Sequence, residues 1–161
     1  MSEDVTQGTC ENTMLKSKNA DVPAYVTFCN RTSRNVDIFW LNYKGKRVKY
    51  CNLSPQQRNF YVDTYVTHPW VFREAGTEYI MTANKKDVFF PKAWDGGQER
   101  SITYIDIPVY SLRERCIQVL RKLLPKECME DLDIPKLLKQ ELLDMQCQSH
   151  DTYKSVKSST P

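Results

Sequence analysis

Ile102-Thr103-Tyr104-Ile105-Asp106-Ile107, then Pro108-Val109-Tyr110, then Ser111-Leu112-Arg113-Glu114-Arg115-Cys116: across these residues the chain changes its alphabet. The first six are β-branched and aromatic, as a strand prefers. Ser111 and Glu114 form an S-x-x-E capping box, each side chain answering the other's free backbone N–H, so a helix starts here. Leu112, Cys116, Val119, Leu120 and Leu123 then fall at i, i+4, i+7, i+8 and i+11, along one helical face. Pro125 disfavours helical geometry at Leu124 and ends the run.

The contrast holds on both sides of Pro108. Of 18 aromatic residues, 16 lie between Tyr25 and Tyr104, whereas nine of the twelve leucines follow residue 110. Strands are expected at Tyr25–Cys29, Val36–Tyr43, Trp70–Arg73, Asp87–Phe90 and Ile102–Ile107. Tyr43-Lys44-Gly45-Lys46 reads as a hairpin turn in which Gly45 can take a positive φ. Short strands with recurrent turns and no helices between them predict an antiparallel β-sandwich. After it come a second short helix over Lys126–Asp131 and a third. Asp133 is placed to cap the third, with Pro135 in its first turn and Ile134, Leu137, Leu138 and Leu142 on one side. The class is α+β: a sandwich over residues 23–108 and a three-helix unit over 109–146. Flanking stretches 1–22 and 147–161 are polar and expected to be disordered.

Composition narrows the function. Lys and Arg exceed Asp and Glu by 23 − 20 = 3, too small an excess to make nucleic acid the main partner. No apolar run is long enough to span a membrane, and residues 1–20 lack the apolar core of a secretory signal. The cytosol or nucleus is the expected compartment. Six cysteines without a CxxC pair, and only two histidines, argue against a metal centre. No cofactor motif can be written with five scattered glycines. The chain also lacks HExxH and GxSxG, so a non-enzyme is expected. An enzyme would have to build its nucleophile from Cys29, Cys51 or Cys116 with His68. Arg73 beside Glu74 reads as a structural ion pair. Lys44, Lys46, Arg47 and Lys49 read as a solvated hairpin face.

A helical unit of this size seldom holds its own core. The stripe of Leu112, Cys116, Val119, Leu132, Ile134 and Leu138 must be buried against the sandwich or against another protein. Patterning alone favours the sandwich.

Residues 112–120 resemble an elongin-binding box, and Ile134-Pro135-Lys136-Leu137-Leu138 resembles a cullin box. Together with Phe28-Cys29-Asn30-Arg31, Trp40-Leu41-Asn42, His68-Pro69-Trp70, Phe72-Arg73 and Ala75-Gly76-Thr77, in that order, they resemble the von Hippel–Lindau tumour-suppressor family over about residues 25–145. The resemblance implies a substrate receptor of a cullin-RING ubiquitin ligase. Its sandwich would bind 4-hydroxyproline in the hypoxia-inducible factor alpha subunit through Trp40, Tyr50, Thr64, His68 and Trp70. Leu112, Arg115, Cys116, Val119, Leu120, Leu132 and Leu138 would dock on elongin C, with elongin B behind it. Arg113, Ile134 and Pro135 would face a cullin and its RING-finger partner. Trp40 and Trp70 would wall the prolyl ring, and Tyr50 would bond a peptide carbonyl. Thr64, where the family has serine, and His68 would pair with the 4-hydroxyl. Unmodified proline would leave those two groups unpaired, at about 1–3 kcal/mol each. Asp63 stands where the family commonly has histidine. That departure and a longer loop between Tyr50 and Tyr65 leave a second reading open, a ligase-independent scaffold for unmodified partners.

Overall fold

The computed structural model describes residues 14–144. Eight strands are followed by three helices: β1 (Pro23–Asn30), β2 (Val36–Leu41), β3 (Arg47–Leu53), β4 (Asn59–Tyr65), β5 (Trp70–Glu74), β6 (Ile80–Ala83), β7 (Val88–Phe89), β8 (Ser101–Asp106), α1 (Leu112–Leu123), α2 (Lys126–Glu130) and α3 (Lys136–Asp144). The strands run β3-β2-β5-β6-β8-β1-β4, with β7 beside β5. β6 joins two sheets, pairing β5 through Phe72↔Met81 and β8 through Ala83↔Ile105. The α+β class expected from the sequence is the class found. Its sandwich carries one departure: β1 and β8 run parallel, from Val26↔Ser101 to Asn30↔Ile105.

Alternation along the strands gives one shared interior. Val26, Phe28, Val62 and Ile105 from one sheet meet Val36, Ile38, Leu53, Trp70 and Phe72 from the other. Phe28 lies at its centre, with ring centroids 5.0 Å from Phe72, 5.4 Å from Trp70 and 5.6 Å from Phe89. Outward-facing Phe39, Leu41 and Val71 build a smaller cluster, covered in part by Leu15. Asn30 is fully buried, and its amide donates to the carbonyls of Arg34 and Leu53. Such complete pairing is what keeps a buried amide from destabilising the fold.

Several expectations are corrected here. Residues 14–22, part of a stretch whose polar composition predicts disorder, are held in place: Ser17 is buried and Asn19 is bonded to Thr67. Residues 1–13 and 145–161 lie outside the described residues, and with them the end of the expected helical unit and the polar tail. Glu74 pairs with Arg34 at 2.7 Å, while Arg73 Nη1 donates to the Phe72 carbonyl. The hairpin cations divide. Lys44 and Lys46 are exposed, but Arg47 bonds Glu78 at 2.9 Å and Lys49 bonds the buried Asp37 at 2.6 Å. Gly45 takes φ 77°, as its turn requires.

The capping box forms as read. Ser111 accepts from the Glu114 N–H, and the Glu114 carboxylate accepts from the Ser111 N–H. These bonds lower the Glu114 pKa. Leu124 leaves helical geometry at φ −112°, ψ 135°, ahead of Pro125. α3 begins at Lys136, so Pro135 precedes the helix instead of occupying its first turn, and Asp133 lies three residues before it. Arg121 of α1 donates to the carbonyls of Leu142 and Glu141 at 2.8 and 2.5 Å, tying α1 to the end of α3. Tyr110 joins the two parts of the molecule, its hydroxyl donating to the Ile80 carbonyl at 3.0 Å.

Candidate functional site

The backbone brings Trp40, Tyr50, Thr64, His68 and Trp70 together from β2, β3, β4, the following turn and β5. Trp40 and Trp70 are cross-strand partners. Tyr50 is delivered by a bulge: Ile38 pairs with Cys51 and Phe39 with Lys49, leaving Tyr50 as the extra residue. A bulge re-aims side chains in this way. Cys51 packs on the core, and the Tyr50 ring lies 4.9 Å from Trp70 and 6.3 Å from Trp40. His68 enters from a turn in which its N–H donates to the Tyr65 carbonyl. Its ring sits 5.1 Å from Trp40, tilted by 36°.

The polar atoms in this cluster have defined partners. Trp70 Nε1–H donates to Thr64 Oγ1 at 3.1 Å, which leaves the Thr64 hydroxyl proton available for an acceptor. His68 Nε2 lies 3.3 Å from the Tyr43 hydroxyl. Burial lowers the His68 pKa, opposed by a hydrogen bond to the Asn19 backbone, so the neutral imidazole is favoured.

Accessibility divides the five. Thr64, His68 and Trp70 are buried, Trp70 to 1% exposure, whereas Tyr50 is 48% exposed. Trp70, which the resemblance makes a wall, thus lies at the base of the cluster, while Tyr50 and part of Trp40 reach its surface. Sequence reasoning missed Ser17, Asn19 and Tyr43 here. The first two lie in a segment whose polar composition masked them, and Tyr43 was absorbed into the hairpin turn. Asp63 is exposed and ion-paired with Arg100 at 2.6 Å, so its charge is partly answered within the chain.

Cys51, next to Tyr50, is not an activated nucleophile. Burial, reinforced by Asp37, pushes the Cys51 thiol up to about 11, so it is protonated at neutral pH.

A second candidate surface lies on the helices. Leu112, Arg113, Cys116, Ile117, Leu120, Ile134, Leu138 and Leu142 line an open groove of about 640 Å³. Leu112 is 82% exposed and Cys116 is exposed, so the stripe is not buried against the sandwich as patterning alone favours. Arg115, Val119 and Leu132 do not line the groove. Arg115 bonds Gln118 at 2.9 Å and Val119 is 41% exposed. Arg113 pairs with Glu141 at 2.6 Å, and Pro135 is exposed at the start of α3. Ile117 was missed because it stands off the counted i, i+4 stripe.

Residues 15–97 match the family model of the VHL beta domain, and residues 110–151 match that of the VHL box domain. The chain belongs to the von Hippel–Lindau family. It is 30% identical over 148 residues to Protein Vhl of Drosophila melanogaster, covering 82% of this chain and 83% of that one. Membership makes the chain a substrate-recognition subunit of the von Hippel–Lindau type, a generally non-catalytic role. The VHL box implies elongin binding within a ligase complex. The apolar groove of α1 and α3 lies within the residues that box covers.

Proposed function

We propose that this chain is the substrate receptor of an elongin- and cullin-based ubiquitin ligase whose sandwich reads 4-hydroxyproline in hypoxia-inducible factor alpha. The observation that carries the reading is the Thr64 hydroxyl. It accepts from the Trp70 indole N–H, has its own proton free, and is buried in the same cluster as Trp40 and Tyr50. A prolyl ring seated against those two aromatics would bring its 4-hydroxyl toward Thr64 and His68. A ring without that hydroxyl would bury both polar groups unpaired. The chain would transfer nothing itself. Elongin C on the α1–α3 groove, elongin B behind it, and a cullin with its RING-finger protein near Arg113, Ile134 and Pro135 would bring the ubiquitin-charged enzyme. This work would take place in the cytosol and nucleus.

The test uses the full chain co-expressed with elongins B and C, titrated with one peptide in proline and 4-hydroxyproline forms. The reading expects tens- to thousands-fold preference for the hydroxylated form, about 1–3 kcal/mol per paired group. Thr64→Ala should cut the affinity for the hydroxylated peptide more than for the unmodified one. Equal binding of both forms by an intact complex would overturn hydroxyproline recognition and leave a scaffold for unmodified partners.

A further inference from the structure

The segment that precedes β1 is tied to the recognition cluster at two points. Ser17 is buried to 2% exposure. Its hydroxyl donates to the Leu41 carbonyl at 2.6 Å and accepts from the Trp40 indole N–H at 2.7 Å. Its backbone N–H donates to the Asn42 carbonyl at 3.2 Å. Two residues on, Asn19 exchanges bonds with Thr67: its N–H donates to Thr67 Oγ1 at 3.1 Å, and Thr67 Oγ1 donates back to its carbonyl at 2.7 Å. The Asn19 backbone also bonds the neighbouring His68.

The chemistry at Ser17 has only one consistent direction. An indole N–H can only donate, so the serine oxygen must accept there, and its single proton goes to Leu41. The hydroxyl is thereby fixed as a bridge between the β2 backbone and the side chain that β2 presents to the site. An indole turns about two torsions; ring packing restricts them, and a bond to the N–H selects one orientation among those that packing allows. Without the anchor the Trp40 ring keeps its contacts with Tyr43, at 5.6 Å, and with His68, at 5.1 Å, but neither holds the N–H.

We infer that Ser17 is a positioning residue of the recognition site, fixing the plane of the Trp40 indole against which the substrate's prolyl ring packs. This rests on the hydroxyproline reading for its consequence, but not for its geometry. Ser17 acts through Trp40 and touches no substrate.

The experiment uses the full chain co-expressed with elongins B and C, ¹⁵N-labelled. Three tryptophans give three indole N–H resonances, those of Trp40, Trp70 and Trp94. Ser17→Ala should shift the Trp40 resonance and leave Trp70, bonded to Thr64, in place. It should weaken the hydroxylated peptide by about fivefold, the usual worth of one hydrogen bond. In a Trp40→Phe background, which keeps a ring but removes the N–H, Ser17→Ala should cost no further affinity. An unmoved Trp40 resonance, or an equal loss in the Trp40→Phe background, would overturn the inference. If Ser17→Ala does not fold, Ser17→Cys keeps the volume with a weak acceptor and is read by the same resonance. If the wild-type complex shows no preference for hydroxyproline, the functional reading fails, and the Trp40 resonance alone decides the role of Ser17.

Discussion

The sandwich and the helical unit handle apolar side chains in opposite ways. In the sandwich, Phe28, Phe72, Trp70 and Ile38 are at most 1% exposed. In the helices, Leu112, Leu123 and Leu137 are 82%, 70% and 67% exposed, and an open groove runs beside them. Both regions belong to one chain and meet at a short join where Tyr110 reaches Ile80. The difference teaches which part is finished by folding and which by assembly. A closed core draws its stability from its own sequence; an apolar face left in water draws it from whatever covers it.

The sharpest way to break that comparison is to place a charge on the open face. Leu112→Asp or Cys116→Asp would bury an unpaired carboxylate once elongin C docks, so co-purification with elongin C should fall by more than about a hundredfold. The thermal transition of the sandwich should stay in place. Intact assembly would show that the groove is not the docking surface. Next in size is the closed side. Phe72→Ala opens a cavity beside Phe28 and should lower unfolding free energy by about 3–5 kcal/mol in denaturant titration. A small change would mean that the core is looser than its burial indicates.

A milder probe sharpens the helical half. Ser111→Ala removes the side-chain acceptor of the capping box and should cost about 1 kcal/mol, read as lower helicity by circular dichroism before elongin is added. If elongin binding restores the helicity, the partner supplies what the cap lost. The smallest effect is in pH. The His68 pKa is lowered below the ordinary 6.5, so the unfolded chain takes up a proton before the folded one does. Stability from this group is therefore complete above that ordinary value and is lost as pH falls through the folded pKa. Denaturant midpoints measured from pH 7.5 downward should fall in that window, and His68→Gln should flatten the fall. An unchanged pH profile in His68→Gln would place the titrating group elsewhere.

Legibility in the sequence follows the same division. The helices were readable because a capping box, a proline and a leucine spacing are local signals. The sandwich was half readable: β1, β2, β5, β7 and β8 coincide with expected strands, β3 was implied only by the hairpin turn before it, and β4 and β6 were not anticipated. β3 carries Arg47, Lys49 and Asn52 on an exposed edge, and β6 has four residues, too few to display a period. Burial and cross-strand neighbours made these strands, and neither is a local property. The cluster of Trp40, Tyr50, Thr64, His68 and Trp70 is legible only through resemblance, because its members are separated along the chain and joined by pairing and by a bulge at Tyr50. Ser17 gave no signal. It looks like any serine in a polar leader until the strand that it anchors is in place.

The parallel pairing of β1 with β8 has a consequence for how the protein is made. Val26 must wait for Ser101, and Asn30 for Ile105, before the first strand gains its second neighbour. Contacts that far apart are slow to form, because a long loop must close first. On the ribosome, the sheet therefore stays open at β1 until most of the chain has been synthesised. By then the box that elongin covers is close behind. Completion of the substrate-reading half and exposure of the half that needs a partner thus fall within one short interval of synthesis.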